Sequence, residues 1–197
     1  MYLPIGDLIQ NFRDLFGRRN SFFLPNILYR IGFLALGIKD FQDAIRKGEN
    51  KFVLGATAAR IFSRLCCVID QFAWLPVPQA LGKKYGMTEC HYCRHLPCDC
   101  PEKRPEVYLN QDTASACLRW GLVEWTAHLD KIYGTKNRQR GIENVLNRLS
   151  AESNELLSLG MMISMPSAAD VTTFTMQEFE QEIAKECADV IAWLIAA

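Results

Sequence analysis

Two features of this sequence point to an all-α protein. Apolar residues recur with a helical period along most of the chain, and no stretch alternates apolar with polar residues as a half-buried strand would. A third feature agrees with them, since glycine and proline fall between the periodic segments rather than inside them. The expected architecture is a helical bundle, read as two degenerate repeats, with a loop-rich zinc-binding insertion.

The first stretch, Met1 to Asn20, mixes Asp7, Arg13, Asp14, Arg18 and Arg19 into its apolar residues, which is not the pattern of a signal peptide. Helices are expected at about 26–47 and 55–74, separated by Lys47-Gly48-Glu49-Asn50, with Pro76 and Pro78 ending the second. Residues 81–110 carry Gly, Pro and a cysteine cluster and read as the insertion. A third helix is expected at 112–132, closed by Gly134, and a fourth at 140–159. Gly160 and Pro166 bracket the gap before a last helix at 177–197, and Ser164 to Thr175 reads as an exposed loop. The domain plan is therefore a helical N-terminal half at 1–80, a Cys-rich zinc loop at 81–110 and catalytic helices at 111–197.

Bulk properties narrow the function classes. The 197 residues suffice for one substantial core. Twenty-two basic residues balance 22 acidic ones, so a protein that coats nucleic acid or an anionic membrane is not expected. No continuous apolar run approaches the roughly 20 residues that span a bilayer. Eight cysteines without a secretory signal point to reduced thiols and a cytoplasmic location.

The two halves show a faint likeness. Asn26-Ile27-Leu28-Tyr29-Arg30-Ile31-Gly32 runs parallel to Asn144-Val145-Leu146-Asn147-Arg148-Leu149-Ser150. The segments beginning at Arg60 and Glu182 align at nearly the same offset. Amphipathic helices share a period in any case, so chance likeness stays open. In a true repeat, Leu34, Gly37, Arg64 and Cys67 take the places of Glu152, Glu155, Glu186 and Asp189.

Those four acids are the chemical signal. On a helical wheel Glu152 projects into the apolar stripe of the fourth helix, and Glu155 sits on its edge. On the last helix Glu182, Glu186 and Asp189 cluster along one border of the stripe, around Trp193. An ionised carboxylate in such a place needs compensation. Both pairs are spaced i, i+3, so two helices packed antiparallel could set four carboxylates around one point, a donor set suited to a hard divalent ion. A solvated face paired with Lys185, Arg148 or Arg138 is the plainer alternative. A ferritin-like di-iron site needs Glu-x-x-His motifs, which this sequence lacks, and His128 after Glu124 reads as a local helix contact.

The stretch Ile132-Tyr133-Gly134-Thr135-Lys136-Asn137-Arg138, followed by Leu149-Ser150-Ala151-Glu152-Ser153-Asn154-Glu155-Leu156 and later by Glu182-Ile183-Ala184-Lys185-Glu186-Cys187-Ala188-Asp189-Val190, resembles the MazG-like all-α nucleotide pyrophosphohydrolases. The resemblance covers about residues 112–197. It implies cleavage of a nucleoside triphosphate (NTP or dNTP) to a monophosphate and pyrophosphate, dependent on Mg²⁺ or Mn²⁺. It implies Glu152, Glu155, Glu186 and Asp189 as metal ligands, with Glu182 as an auxiliary ligand or base. Lys136, Asn137 and Arg138 would contact phosphate. It also implies assembly into a homo-oligomer. The second motif stands close to Ala197, so either the N-terminal half or a second subunit supplies the further nucleotide contacts, with Arg60 and Arg64 facing the site or its rim, or the sequence is truncated, or activity is impaired.

Cys90, Cys93, Cys98 and Cys100 give C-x₂-C-x₄-C-x-C, a donor set for a structural Zn²⁺. His91 and His95 are reserve ligands, and Lys83, Lys84, Arg94, Lys103 and Arg104 are available to a partner. Disulfides are disfavoured by compartment, and an iron–sulfur cluster by the short reach between ligands. Cys66, Cys67, Cys117 and Cys187 read as core residues. The competing function class is a non-enzymatic helical adaptor that uses the zinc loop to bind protein or nucleic acid.

Overall fold

Helix starts follow ordinary capping chemistry. Asn26 accepts from the amide of Leu28 at 2.8 Å and opens the helix Ile27–Arg46. Asn50 accepts from Phe52 and Val53 and opens Lys51–Ile69, while Thr175 and Glu178 form a reciprocal box that opens Met176–Ala196. The computed structural model of the chain describes residues 3–72, 75–90, 92–100, 117–164 and 175–197. Within them the helices are α1 (Ile5–Phe23), α2 (Ile27–Arg46), α3 (Lys51–Ile69), α4 (Val77–Tyr85), α5 (Leu122–Leu129), α6 (Thr135–Arg140), α7 (Ile142–Ser164) and α8 (Met176–Ala196). A π-helical turn, Asp130–Gly134, joins α5 to α6. The fold is all-α, and the described residues contain no strand beyond an isolated bridge between Pro4 and Gly121.

Two helical hairpins form the centre. α2 pairs with α3, α7 pairs with α8, and α2 lies along α7. Gln42 ties the last contact by donating to the Leu146 carbonyl and the Ser150 hydroxyl. α1 leans on α3 and α4 leans on α8. One apolar core runs through both halves of the chain, with Leu34, Leu65, Leu146, Leu156, Ile183 and Val190 all within it. Beneath α1, buried Arg30 reaches the Leu24 and Cys67 carbonyls and joins Arg13 on Asp70.

Several boundaries differ from expectation, each for a physical reason. α1 is a helix because Ile5, Ile9 and Phe12 bury a narrow stripe, a pattern its many charges obscure. α4 occupies the start of the expected insertion. Pro78 stands in its first turn, where a missing N–H costs nothing, so the proline pair starts this helix after α3 has ended at Ile69. Gly134 does not close a helix; the chain passes through it and ends α6 at Gly141, whose φ of 79° is left-handed. Gly160 lies inside α7, where an added Cβ would stand 2.7 Å from Ile31, so the glycine lets α2 approach closely. α3 is 19 residues long and apolar enough by length and composition to cross a bilayer, against expectation, because Arg60 and Arg64 interrupt the run without lowering its average much. Residues 112–116 of the expected third helix, Pro166 and most of the Ser164 to Thr175 loop lie outside the described residues.

Arg64 lies against Gly37, where an added Cβ would stand 2.9 Å from its Nη1. In the second hairpin Glu155 and Glu186, which the sequence likeness aligns with Gly37 and Arg64, bring carboxylate oxygens within 4.8 Å of each other.

Candidate metal centre and adjoining cleft

α7 and α8 carry the acids on facing stripes. One carboxylate oxygen from each of Glu152, Glu155 and Glu186 lies within 4.8 Å of the others. Among the described residues no salt bridge reaches any of the three, and Glu186 Oε2 is buried without a hydrogen-bond partner. Among the described residues, the Trp193 indole reaches the group and donates to Glu152 Oε1 at 3.1 Å.

Crowded acids repel, and burial removes the water that would screen them. Burial pushes Glu186 up to about 8, helped by the charges of Asp189, Glu155 and Glu152. Burial raises Glu152 to about 7, helped by Asp189 and Glu155 and opposed by Lys84 and the Trp193 bond. A cation could offset the same charge that protons otherwise offset, and the three acids could hold a metal ion. Glu155 is exposed, so this raised pair stands at the solvent edge of the group.

Asp189 stands beside this group in a different state. It is 4% exposed; the Tyr85 hydroxyl donates to Oδ1 at 2.6 Å, and the Lys84 ammonium pairs with Oδ2. Its charge is felt by both Glu152 and Glu186. Glu182 is bound to Lys185 at the surface and is not one of the three grouped carboxylates. Of the other cations offered as partners, Arg138 pairs with Asp130 and Arg148 is exposed. Arg60 and Arg64 do not face the acids: Arg60 reaches Asp40 at 3.9 Å and Arg64 donates to the Phe33 carbonyl at 2.8 Å, because both turn back onto α2. Glu124 caps the Gly121 amide and His128 bonds the Tyr85 carbonyl, so those two make no pair with each other.

A cleft of about 480 Å³ opens next to the acids. Tyr85, Tyr133 and Trp193 form aromatic wall, and Lys136, Asn137 and Arg138 line it as well. The π-helical turn shapes this wall. Arg138 bonds Asp130 across Gly134 at 2.7 Å, and an added Cβ there would meet Asp130 Oδ1 at 2.0 Å. Trp193 and Tyr85 belong to both places, since each lines the cleft and holds one of the acids.

The four cysteines also converge. One sulfur from each of Cys90, Cys93, Cys98 and Cys100 lies within 4.8 Å of the rest, and the set could hold a metal ion. Burial works upward on Cys93, but N–H groups of Asp99 and His95 hold its thiol down at about 7. Burial raises the Cys98 and Cys100 thiols. The loop packs on Ile132, and Cys98 donates its amide to the Ile132 carbonyl at 2.8 Å, which ties it to the π-helical turn. His95 is exposed, while His91, Lys103 and Arg104 lie outside the described residues. Lys83 is exposed on α4, Arg94 pairs with Glu89, and Lys84 is committed to Asp189. Cys66, Cys117 and Cys187 are buried in the core, and Cys67 is half-buried.

Sequence reasoning missed Lys84 and Tyr85 as site residues. They lie far from the acids along the chain and carry no spacing that points there. Comparison with protein-family models, with curated proteins and with solved structures gives no match for this chain.

Proposed function

We propose that this chain is a metal-dependent nucleoside triphosphate pyrophosphohydrolase of the MazG-like all-α type, converting an NTP or dNTP to the monophosphate and pyrophosphate. The observation that carries the reading is the convergence of Glu152, Glu155 and Glu186 without a cation of their own. Oxygen donors in this number suit Mg²⁺ or Mn²⁺. When bound, the ion supplies neutralisation of phosphate charge and acidifies water.

The chain's residues divide the remaining work. Glu152, Glu155 and Glu186 hold the ion, and Asp189 stands beside them as a further ligand. A carboxylate of this group orients the attacking water and takes its proton. Tyr85, Tyr133 and Trp193 offer flat apolar surface to a nucleobase, and Lys136, Asn137 and Arg138 offer donors to the sugar and phosphates. Glu182, held by Lys185, is a weaker candidate for the base. Zn²⁺ fits the four cysteines, with a structural role.

Two further parts of the reading concern context. Tyr29, Phe33 and Leu36 share one face of α2 and are exposed, which supports assembly into a homo-oligomer. A cytoplasmic setting belongs to the same reading and rests on the cysteine usage of the sequence.

The test is direct. The purified chain is incubated with each common nucleoside triphosphate and Mg²⁺ or Mn²⁺, and pyrophosphate is measured. Release is expected for at least one substrate, and Glu152→Ala and Asp189→Ala should abolish it. No release across the whole panel would favour the adaptor class instead.

A further inference from the structure

We propose that Lys84 is a substrate-binding residue: it holds Asp189 while the centre is metal-free, and transfers its ammonium to the phosphate chain once a divalent ion has taken that carboxylate. The inference rests on the metal-centre reading above and assigns a role to a helix outside the two that carry the acids.

The geometry has three parts. Lys84 sits on α4, which packs against α8, and its side chain is 31% exposed while that of Asp189 is 5% exposed. Its stem is covered and its ammonium meets Asp189, with Glu152 close enough to add to its charge stabilisation. Its charge acts on both Glu152 and Glu186. Tyr85, the next residue, holds the other oxygen of Asp189 with a neutral hydroxyl and lines the cleft. Asp189 therefore keeps one partner when Lys84 leaves.

Charge decides why a lysine belongs there. Burying Asp189 requires a compensating group, and Lys84 provides it in the absence of metal. A divalent ion bound to the same carboxylate makes that ammonium redundant. The incoming triphosphate then brings several negative charges to a place already ringed by acids. One ion does not neutralise both sets, and a lysine ammonium on a flexible stem can swing from carboxylate to phosphate without losing charge pairing.

Two binding measurements on the full chain separate this role from a structural clamp. Mn²⁺ affinity is measured without nucleotide, and the preformed Mn²⁺–tripolyphosphate complex is then titrated by calorimetry. Lys84→Met should tighten Mn²⁺ binding several-fold, because the competing cation is gone, and should weaken tripolyphosphate binding by about tenfold. Lys84→Arg should retain tripolyphosphate binding, and Tyr85→Phe should loosen Mn²⁺ without reducing tripolyphosphate affinity for the loaded centre. Loss of both affinities in Lys84→Met, with helicity intact, would mean that Lys84 merely props Asp189 and would overturn the proposal. If Lys84→Met does not stay folded, Lys84→Arg and Tyr85→Phe still decide it: equal losses of tripolyphosphate binding in both would overturn it. A wild-type chain that binds no Mn²⁺ removes the metal centre and this role together, whereas normal Mn²⁺ binding with unchanged tripolyphosphate affinity in Lys84→Met rejects the lysine alone.

Discussion

Trp193 donates its indole N–H to Glu152 at 3.1 Å, and the same residue lines the adjoining cleft. One side chain thus joins the acids to the place where an apolar part of a ligand would rest. The bond stabilises the charged form of Glu152, opposing the upward push of burial.

Trp193→Phe keeps the ring and removes the donor. Its Mn²⁺ affinity near neutral pH should fall by about tenfold, the scale of one hydrogen bond to a charged group. The pH needed for Mn²⁺ binding should rise. A titration superimposable on that of the wild type would show that the bond does not tune the centre.

Stability of the metal-free chain should fall as pH rises. Glu152 and Glu186 are raised from about 4.5 to about 7 and about 8, so the folded state holds their protons more tightly than the unfolded state does. Their contribution is fully present below about pH 4.5 and is lost as pH rises through those two values. Thermal melts over this range should show a falling midpoint that Mg²⁺ or Mn²⁺ restores at the upper end. Glu186→Gln should flatten the slope, and an undiminished slope in that variant would place the titration elsewhere.

The cysteine loop should bind one Zn²⁺ per chain, measurable by metal analysis of the purified protein. Chelation or Cys98→Ser should lower the melting temperature, since a metal-closed loop draws folding free energy from the ion. The same treatment should perturb the cleft wall, because Cys98 bonds Ile132 in the turn that precedes α6. Full retention of stability in metal-free protein would remove the structural role.

Arg30 is 2% exposed and serves two carbonyls and Asp70 from inside the bundle. Arg30→Met should cost about 3 kcal/mol in denaturant unfolding, since it strands buried acceptors. Arg13 still reaches Asp70, which keeps the loss at the lower end of that class. A change under about 0.5 kcal/mol, the range of ordinary surface substitutions, would contradict this account of the core.

Local pattern carried a large part of this protein. The 3.6-residue period marks α2 and α8 to within a residue of their observed ends and places α7, though α7 runs on through Gly160 to Ser164; the i, i+3 spacing sets Glu152 with Glu155 and Glu186 with Asp189 on single faces. The cysteine spacing likewise foretells four sulfurs close together. These are properties of neighbouring residues, so the sequence alone determines them. Which helix faces which is different in kind. The pairing of Lys84 with Asp189, the turning of Arg60 and Arg64 onto α2, and the close approach of Gly160 to Ile31 are set by how the whole core packs. Contacts between distant segments depend on the summed burial of many side chains, and only the tertiary structure records that sum.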